Sequence, residues 1–462
     1  MQIETKGKPG VLVVTNNFFS DAESAAMDVG MPTIRIVRVP AEFYYKARVS
    51  VEEMRPVAAN AIGAITAALT KPLTAAEAKP KPMDKASVKQ TIKVTGKSYS
   101  EAAEKVNAQF LSNRWSDGLP IVPPTREAVK LMLTGTSRAP TEVLGKVAIK
   151  NGIATIEKIA INSVMAGAKP EYLPVIIAAM EAMLDKDFDL KHLLASTGSC
   201  TPVIQVNGPI AKEIDINSGI GYMGHGWRAN STIGRAVRMC TINLGHVWPQ
   251  ANDMGLTGRE AAYTNYTFAE NEEDSPWKPY HVDLGFKPEE STVTVSSMMW
   301  YLRQGPGGAV TTHTPEEQLQ ILNKILVDMG YPTTPARAWL WSKRYIVGMD
   351  PGLARELAKR GYTKDKVKQY FFENARVPYS ALFKNDIRGL REAVEDGRIS
   401  NVVSLDMLRE GGLIPVVKGP DFIHLVVVGG MPGYTGVWSY PGPNFGHVTK
   451  KIKGATLTKA GK

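Results

Sequence analysis

From Val206 to Met239 the chain reads VNGPIAKEIDINSGIGYMGHGWRANSTIGRAVRM, with glycines at 208, 219, 221, 224, 226 and 234 among Asn207, Asn217, Asn230, Arg228, Arg235 and Arg238. Glycine loses more conformational entropy on folding than any other residue, so a cluster of it is expected where backbone turns with positive φ or closely approaches a ligand. The run ANSTIGRAVRM reads as a helix whose first amides, those of Asn230, Ser231 and Thr232, face the glycine loop. Unpaired N–H groups and the helix dipole make such an end a receptor for anions. Arg228, Arg235 and Arg238 would add charge-assisted hydrogen bonds to a carboxylate, phosphate or similar oxyanion. Asn217, Ser218, Gly219 and Gly224 complete this expected substrate-binding loop, with Asn207 at its entry. The same stretch also reads as a long tight loop before an ordinary helix, because glycine-rich loops occur without ligands. It lacks the GxGxxG order and the Gly-Lys-Ser/Thr ending of a phosphate loop, which disfavours ATP hydrolysis.

Three side-chain types in or near this segment could carry reactions. His225 stands between two glycines with little local bulk to shield it, and is the first candidate for proton transfer. His246 and His281 rank behind it, and His192, His313, His424 and His447 have no motif-like company. No HxxxH or HExxH spacing occurs, so histidine-bound metal is weakly supported. The acidic run FAENEEDSPW places Glu270, Glu272, Glu273 and Asp274 between Phe268 and Trp277. Such runs are usually solvated loops, yet a carboxylate held against an aromatic wall can have a raised pKa and work as acid or base. Glu270, following the apolar Phe-Ala pair, is the member expected to point inward. Magnesium on Glu270 or Glu272 is compatible with the residue types, although nothing in the spacing requires it. Cys200 lies in the small polar context STGSCT, but free cysteine is more often a buried inert thiol. Cys200 and Cys240 are far apart in sequence and form no CxxC pair, so a dithiol centre on this chain is unsupported.

The elements that must position these groups follow from pattern. Residues 10–70 read as strand GVLVVTNNF, helix SDAESAAMDVG, strand TIRIVRVP and a long amphipathic helix from Ser50, with Glu53 completing a capping box. Two strands make only half of a doubly wound α/β unit, whose open edge calls for a further strand from elsewhere. A Lys/Pro/Ala-rich stretch over 72–97 reads as a linker or arm. An α/β domain with the glycine loop is expected over 98–300, and an α/β section packed on it over 301–462. In the first of these the turn RWSDGLPIVPPT would hold Trp115 and Asp117 rigidly at the substrate site. The strands TPVIQVNG, STVTVSSMM and FIHLVVVGG and the helix PGLARELAKRG, ended by Gly361, are the best-marked later elements.

Composition narrows the class. At 462 residues the chain suits two or three domains, and 44% hydrophobic with 22% charged residues is ordinary for a globular protein. The net charge of +10 sits almost wholly in two places, +5 over 71–97 and +5 over 448–462. Those segments carry almost only Lys, Ala, Thr, Pro and Gly without stacking aromatics, so flexible arms touching an acidic partner are expected in place of a nucleic-acid surface. With two cysteines, no apolar leader, and an apolar helix over 172–184 too short for a bilayer, a cytoplasmic protein without membrane contact is expected.

Several long phrases are similar to one family. The stretch 20–70, with MPTIRIVRVP, resembles the C-terminal half of the UGSC family, named after a selenocysteine-Gly-Ser-Cys motif. DGLPIVPPT, AINSVMAGAKPEYLPVI, VNGPI, INSGIG, RANSTIGRAVR and FAENEEDSPW resemble its associated large domain. The resemblance implies reductase or carbon–heteroatom lyase chemistry, with the thiol or selenol on a separate subunit that completes the N-terminal sheet. The motif itself is absent here, and TGSC at 197–200 is a poor substitute because threonine cannot be the redox atom. The leading expectation is thus a catalytic or substrate-binding subunit for a small anionic or polar substrate. The alternatives are a self-sufficient hydro-lyase or hydratase using His225, Glu270 and the arginines, and a non-catalytic scaffold. The cofactor is left unassigned.

Overall fold

The structure, a computed structural model, describes residues 8–28, 31, 33–42, 49–78, 91–249, 252–253, 255, 258–259, 266–298, 301–303, 313–330, 344–430, 436–439 and 446–456. The fold is α/β (α+β), with small parallel and mixed sheets. Two compact units divide the chain, residues 1–105 with 149–152 and all the rest, so the section expected over 98–300 falls in the second unit except for 98–105 and 149–152, and that over 301–462 falls wholly in it.

In the first unit β1 (Val11–Thr15), α1 (Phe19–Asp28) and β2 (Arg35–Val39) form a right-sized βαβ fragment, with Val13 opposite Val37 in parallel register. Helix α2 (Val51–Thr70) opens as the sequence predicts: Ser50 Oγ accepts from the Glu53 amide and Glu53 accepts from the Ser50 amide. The expected arm begins with structure. The turn α3 (Ala75–Ala78) is fastened by Arg35, which reaches Glu77 at 2.9 Å and the carbonyls of Ala68, Lys71 and Pro72. Residues 79–90 of that arm lie outside the described residues.

The second unit is built on two four-stranded sheets. The second half of α4 (Tyr99–Ser112), whose first residues belong to the first unit, helix α5 (Arg126–Leu133) and strands β3 (Val143–Val147) and β4 (Gly152–Thr155, its first residue in the first unit) lead to α6 (Ile156–Met165) and α7 (Leu173–Met183). α7 has no polar face, and only Glu181 among its residues escapes full burial, as an apolar helix packed between a sheet and another helix requires. After α8 (Leu190–Ala195) comes β5 (Thr201–Asn207), buried at every residue, then α9 (Ile210–Glu213) and the long α10 (Arg228–Asn243). β5 pairs in parallel with β6 (Thr267–Ala269) and antiparallel with β7 (Thr292–Met298), which lies beyond the turn α11 (Tyr280–Asp283).

The second sheet holds β8 (Tyr301–Arg303), then β9 (Tyr345–Met349) reached after α12 (Pro315–Gly330), with α13 (Pro351–Lys359), α14 (Lys364–Asn374) and α15 (Lys384–Glu395) covering it. A small antiparallel pair, β10 (Arg376–Pro378) and β11 (Leu413–Pro415), flanks it. β12 (Ile423–Val427) runs parallel to β9, and β13 (Gly436–Ser439) joins β9 to β8. β14 (His447–Lys451) returns to the first sheet and pairs with β7, His447 opposite Ser296. The basic tail is therefore not a free arm over its first part: it is a strand whose Lys450 meets Asp185 and whose Lys451 meets Glu290, each at 2.5 Å. Val203, Phe268 and Met298 of the first sheet pack with Ile346 and Val426 of the second, and each such side chain contributes about 1.5–3 kcal/mol by leaving water. That shared core fixes the ends of β5, β6 and β12 beside one another.

Candidate functional site

The carboxyl ends of parallel strands are where open α/β sheets leave a crevice for ligands. Here the chain leaving β6 crosses between two of them: the Glu270 amide donates to the Val206 carbonyl of β5, and the Asn271 amide donates to the Val427 carbonyl of β12. Asn271 Nδ2 also reaches the Gly429 carbonyl, and the Gly429 amide donates to Ser218 in the glycine loop. Gly430 lies so close to that loop that a Cβ would meet Ile220 at 2.5 Å. A cleft of about 330 Å³ opens here, lined among others by Gly208, Lys212, Ser218, Glu270, Glu272 and Pro288.

Glu270 is the chemical centre of the cleft. Its Oε2 accepts from Asn207 Nδ2 at 2.6 Å and from the Tyr280 amide at 2.8 Å, while its Oε1 is buried with no partner. Burial pushes this carboxyl up to about 7, against the charge of Lys364 and the hydrogen bonds from Tyr280 and Asn207, and the neighbouring Glu272 pushes the same way as burial. Glu272 Oε1 accepts from Asn207 Nδ2 and from the Gly208 amide, both at 2.8 Å. Gly208 is needed there twice over: its φ is +86°, and a Cβ would sit 2.3 Å from the Glu290 carbonyl. Fully buried His281 lies 3.6 Å from Glu272, too far for a hydrogen bond, and both its ring nitrogens lack partners. Lys364 is fixed by Asp283 and the Lys278 carbonyl, each at 2.6 Å.

Behind the cleft runs a buried polar chain. Asn207 Oδ1 accepts from Gln205 Nε2 at 2.8 Å, and Gln205 Oε1 faces His424 Nε2 at 2.7 Å, so that nitrogen carries the proton. The Tyr280 ring meets His424 edge-on at 3.9 Å, and its hydroxyl reaches His447 Nε2 at 2.5 Å, with His447 Nδ1 at 2.8 Å from Ser296 Oγ. Burial drives His447 down to about 3 and His424 well below the ordinary histidine range, so both are neutral; it drives the Tyr280 phenol up. Tyr280 thus touches both the carboxyl, through its amide, and the histidines, through its ring. Sequence reading sets His424 and His447 aside for want of motif-like company and does not single out Gln205 or Tyr280. A signal existed: Gln205 and Asn207 are two apart on a strand that is otherwise apolar, which puts two amides on one buried face.

The glycine loop is organised differently from its expected form. α10 begins at Arg228 with Trp227 as its cap, so the Ser231 amide is already spent on the Trp227 carbonyl. Thr232 Oγ1 donates to the Arg228 carbonyl at 2.7 Å. Asn230 is a staple for the loop itself: its Oδ1 accepts from the Asn217 amide and its Nδ2 faces the carbonyls of Asn217, Tyr222 and Thr267. Asn217 in turn accepts from the Gly219 amide and donates to the Ile220 carbonyl. Gly224 approaches Gly221, where a Cβ would stand 3.0 Å from the carbonyl. His225 is exposed and outside the lining of the cleft.

The three arginines do not converge on this loop. Ten helical residues separate Arg228 from Arg238, roughly 15 Å along the axis. Arg228 donates to the Gly167 carbonyl, and Arg235 grips Asp117 through Nε and Nη2 at 2.8 and 2.9 Å. Arg238 is buried. Trp115 is half-buried, edge-on to Phe110 at 5.4 Å, and its carbonyl accepts from Asn243. Cys200 is buried with its carbonyl held by Arg259, and burial raises the Cys240 thiol. Of the expected site residues, then, Asn207, Ser218 and Glu270 come together, with Asn217, Gly219 and Asn230 shaping the loop beside them.

No protein-family model matches the chain, and no curated protein matches its sequence. Among the described residues no helix is long and apolar enough to cross a membrane, and no cluster of three His, Cys, Asp or Glu is arranged to hold a metal.

Proposed function

We propose that this chain is a self-sufficient acid–base enzyme of the hydro-lyase or hydratase type, acting on a small polar substrate in the Glu270 cleft. The observation that carries the reading is a carboxyl at the strand ends, buried and balanced near 7, with one oxygen unpartnered. A group titrating there is present at neutral pH in both forms, so it can take a proton and return one. In dehydration, Glu270 would remove the proton from the carbon beside an activating group. The C–H electron pair becomes the new double bond as the C–O bond breaks, and the departing hydroxyl leaves as water with the proton that Glu270 returns. Asn207 and the Tyr280 amide hold Oε2 and leave Oε1 for the substrate. Reductive chemistry by a thiol of this chain gains no support, since Cys200 and Cys240 are both buried.

The test is proton NMR of a panel of small 3-hydroxy acids and the matching 2,3-unsaturated acids in deuterium oxide. Deuterium should enter the carbon next to the carboxylate with the full chain alone, and Glu270→Gln should slow it about 10²–10⁴-fold. Exchange that persists in the variant, or none from any member of the panel, would overturn the reading.

A further inference from the structure

A second cavity, of about 280 Å³, lies under the C-terminal half of α10, away from the Glu270 cleft lining. Leu111, Ile242, Val247 and Trp248 give it mostly apolar walls, and Asp117, Arg238, Asp253 and Arg259 bring charge to it. Among the described residues these charges are not balanced one to one. Asp117 belongs to Arg235, and Asp253 belongs to Arg259 at 2.9 Å, where Arg259 also takes the carbonyls of Leu194, Ser196 and Cys200. Among the described residues Arg238 is left over: it is 5% exposed, and its Nε and Nη2 donate to none of their polar atoms. Those two nitrogens form the same edge by which Arg235 clamps the Asp117 carboxylate. Burial and the neighbouring charge of Arg259 lower Arg238 to about 10, against the attraction of Asp253 and Asp117, which leaves it a cation at neutral pH.

We propose that this cavity binds a small monocarboxylate with an apolar or aromatic tail, its carboxylate on Arg238 and its tail against Trp248 and Ile242. The planar guanidinium edge matches two carboxylate oxygens, as it does within the protein at Arg235. A single negative charge balances the one unmatched arginine. A doubly charged phosphate would add an excess negative charge beside Asp117 and Asp253, and a neutral ligand would leave the cation with only the fields of two carboxylates already engaged by Arg235 and Arg259. The volume suits a ligand on the order of ten non-hydrogen atoms.

Calorimetric titration of the full chain with benzoate, benzamide and inorganic phosphate tests this. Benzoate should bind at least about ten-fold tighter than either of the others, the gain expected of a hydrogen bond to a charged group. Arg238→Met should lose that preference, and benzoate should still bind Glu270→Gln, which separates this site from the cleft. Trp248→Ala keeps the arginine and removes one apolar wall, so it should weaken benzoate without restoring benzamide; it serves also if the Arg238 variant does not fold. Equal binding of benzoate and benzamide, tighter binding of phosphate, or no saturable benzoate binding by about 10 mM would each sink the proposal.

Discussion

Glu270 and Arg238 are both buried ionisable groups with polar atoms left unpartnered, yet the two regions solve the problem of a buried charge in opposite ways. A carboxyl starts near 4.5, so burial can carry it to neutrality within the physiological range, as it does at about 7 for Glu270. A guanidinium starts so high that the same burial leaves Arg238 at about 10, still charged. One site can therefore discharge itself by taking up a proton, which is the property a proton-transfer catalyst needs. The other cannot, and among the described residues no acid of its cavity remains that is not already engaged by another arginine. The difference lies in the residue type, since both are enclosed by apolar and hydrogen-bonded neighbours.

The most severe way to sharpen this contrast is to make Arg235 resemble Arg238. Asp117→Asn removes the charge that Arg235 grips, while the carbonyls of Leu119 and Pro120 remain as acceptors. Breaking a buried ion pair from one side typically costs about 3–5 kcal/mol, and the retained carbonyls place this one at the lower end. Urea unfolding should show that loss; a change under about 1 kcal/mol would mean that burial of an unmatched arginine is tolerated here generally, and Arg238 would cease to be special.

Next in size is the pH dependence of stability. Glu270 holds its proton more tightly folded, at about 7, than unfolded, near 4.5. Its contribution is full below about 4.5 and is lost as pH rises to 7, about 3 kcal/mol at most. His447 has the reverse sign: its folded value of about 3 lies below the unfolded 6.5, so its contribution is present above 6.5 and lost as pH falls toward 3. Glu270→Gln should therefore be more stable than the wild type at pH 8 and indistinguishable from it near pH 4, while the acid limb from His447 and His424 stays. Parallel stability curves for the two proteins from pH 5 to 8 would show that Glu270 is ionised throughout.

What could be read from sequence was local. The Ser50–Glu53 capping box, the apolar α7, the buried strands TPVIQVN and FIHLVV and the inward Glu270 after Phe268 and Ala269 all follow from residues within a turn or two of each other. The partners were not local. Arg235 meets Asp117 from 118 residues away, and Gln205 meets His424 across 219, spacings that only the packed core sets. The role of the α10 start was not local either: Asn230, read as part of an open helix end, has its side chain taken by Asn217, Tyr222 and Thr267, and Trp227 precedes the helix with no side-chain cap. Basic segments read as arms are anchored by distant single partners: Arg35 holds Glu77 of the first, and Asp185 and Glu290 hold Lys450 and Lys451 of the second.

The smallest effect is the most telling for the arginine side of the comparison. Replacing a buried, unmatched cation by an apolar side chain of similar length removes a desolvation cost and leaves no acid behind unpaired, because Asp117 keeps Arg235 and Asp253 keeps Arg259. Arg238→Met should therefore unfold at the same urea concentration as the wild type or higher, with a gain of about 1 kcal/mol. If instead it loses 3 kcal/mol or so, the guanidinium has a structural partner that holds the fold together, and the cavity would be a packing fault beside an ordinary buried ion pair. A stabilised variant would place Arg238 among residues kept at the expense of stability, the signature of a group retained for what it binds.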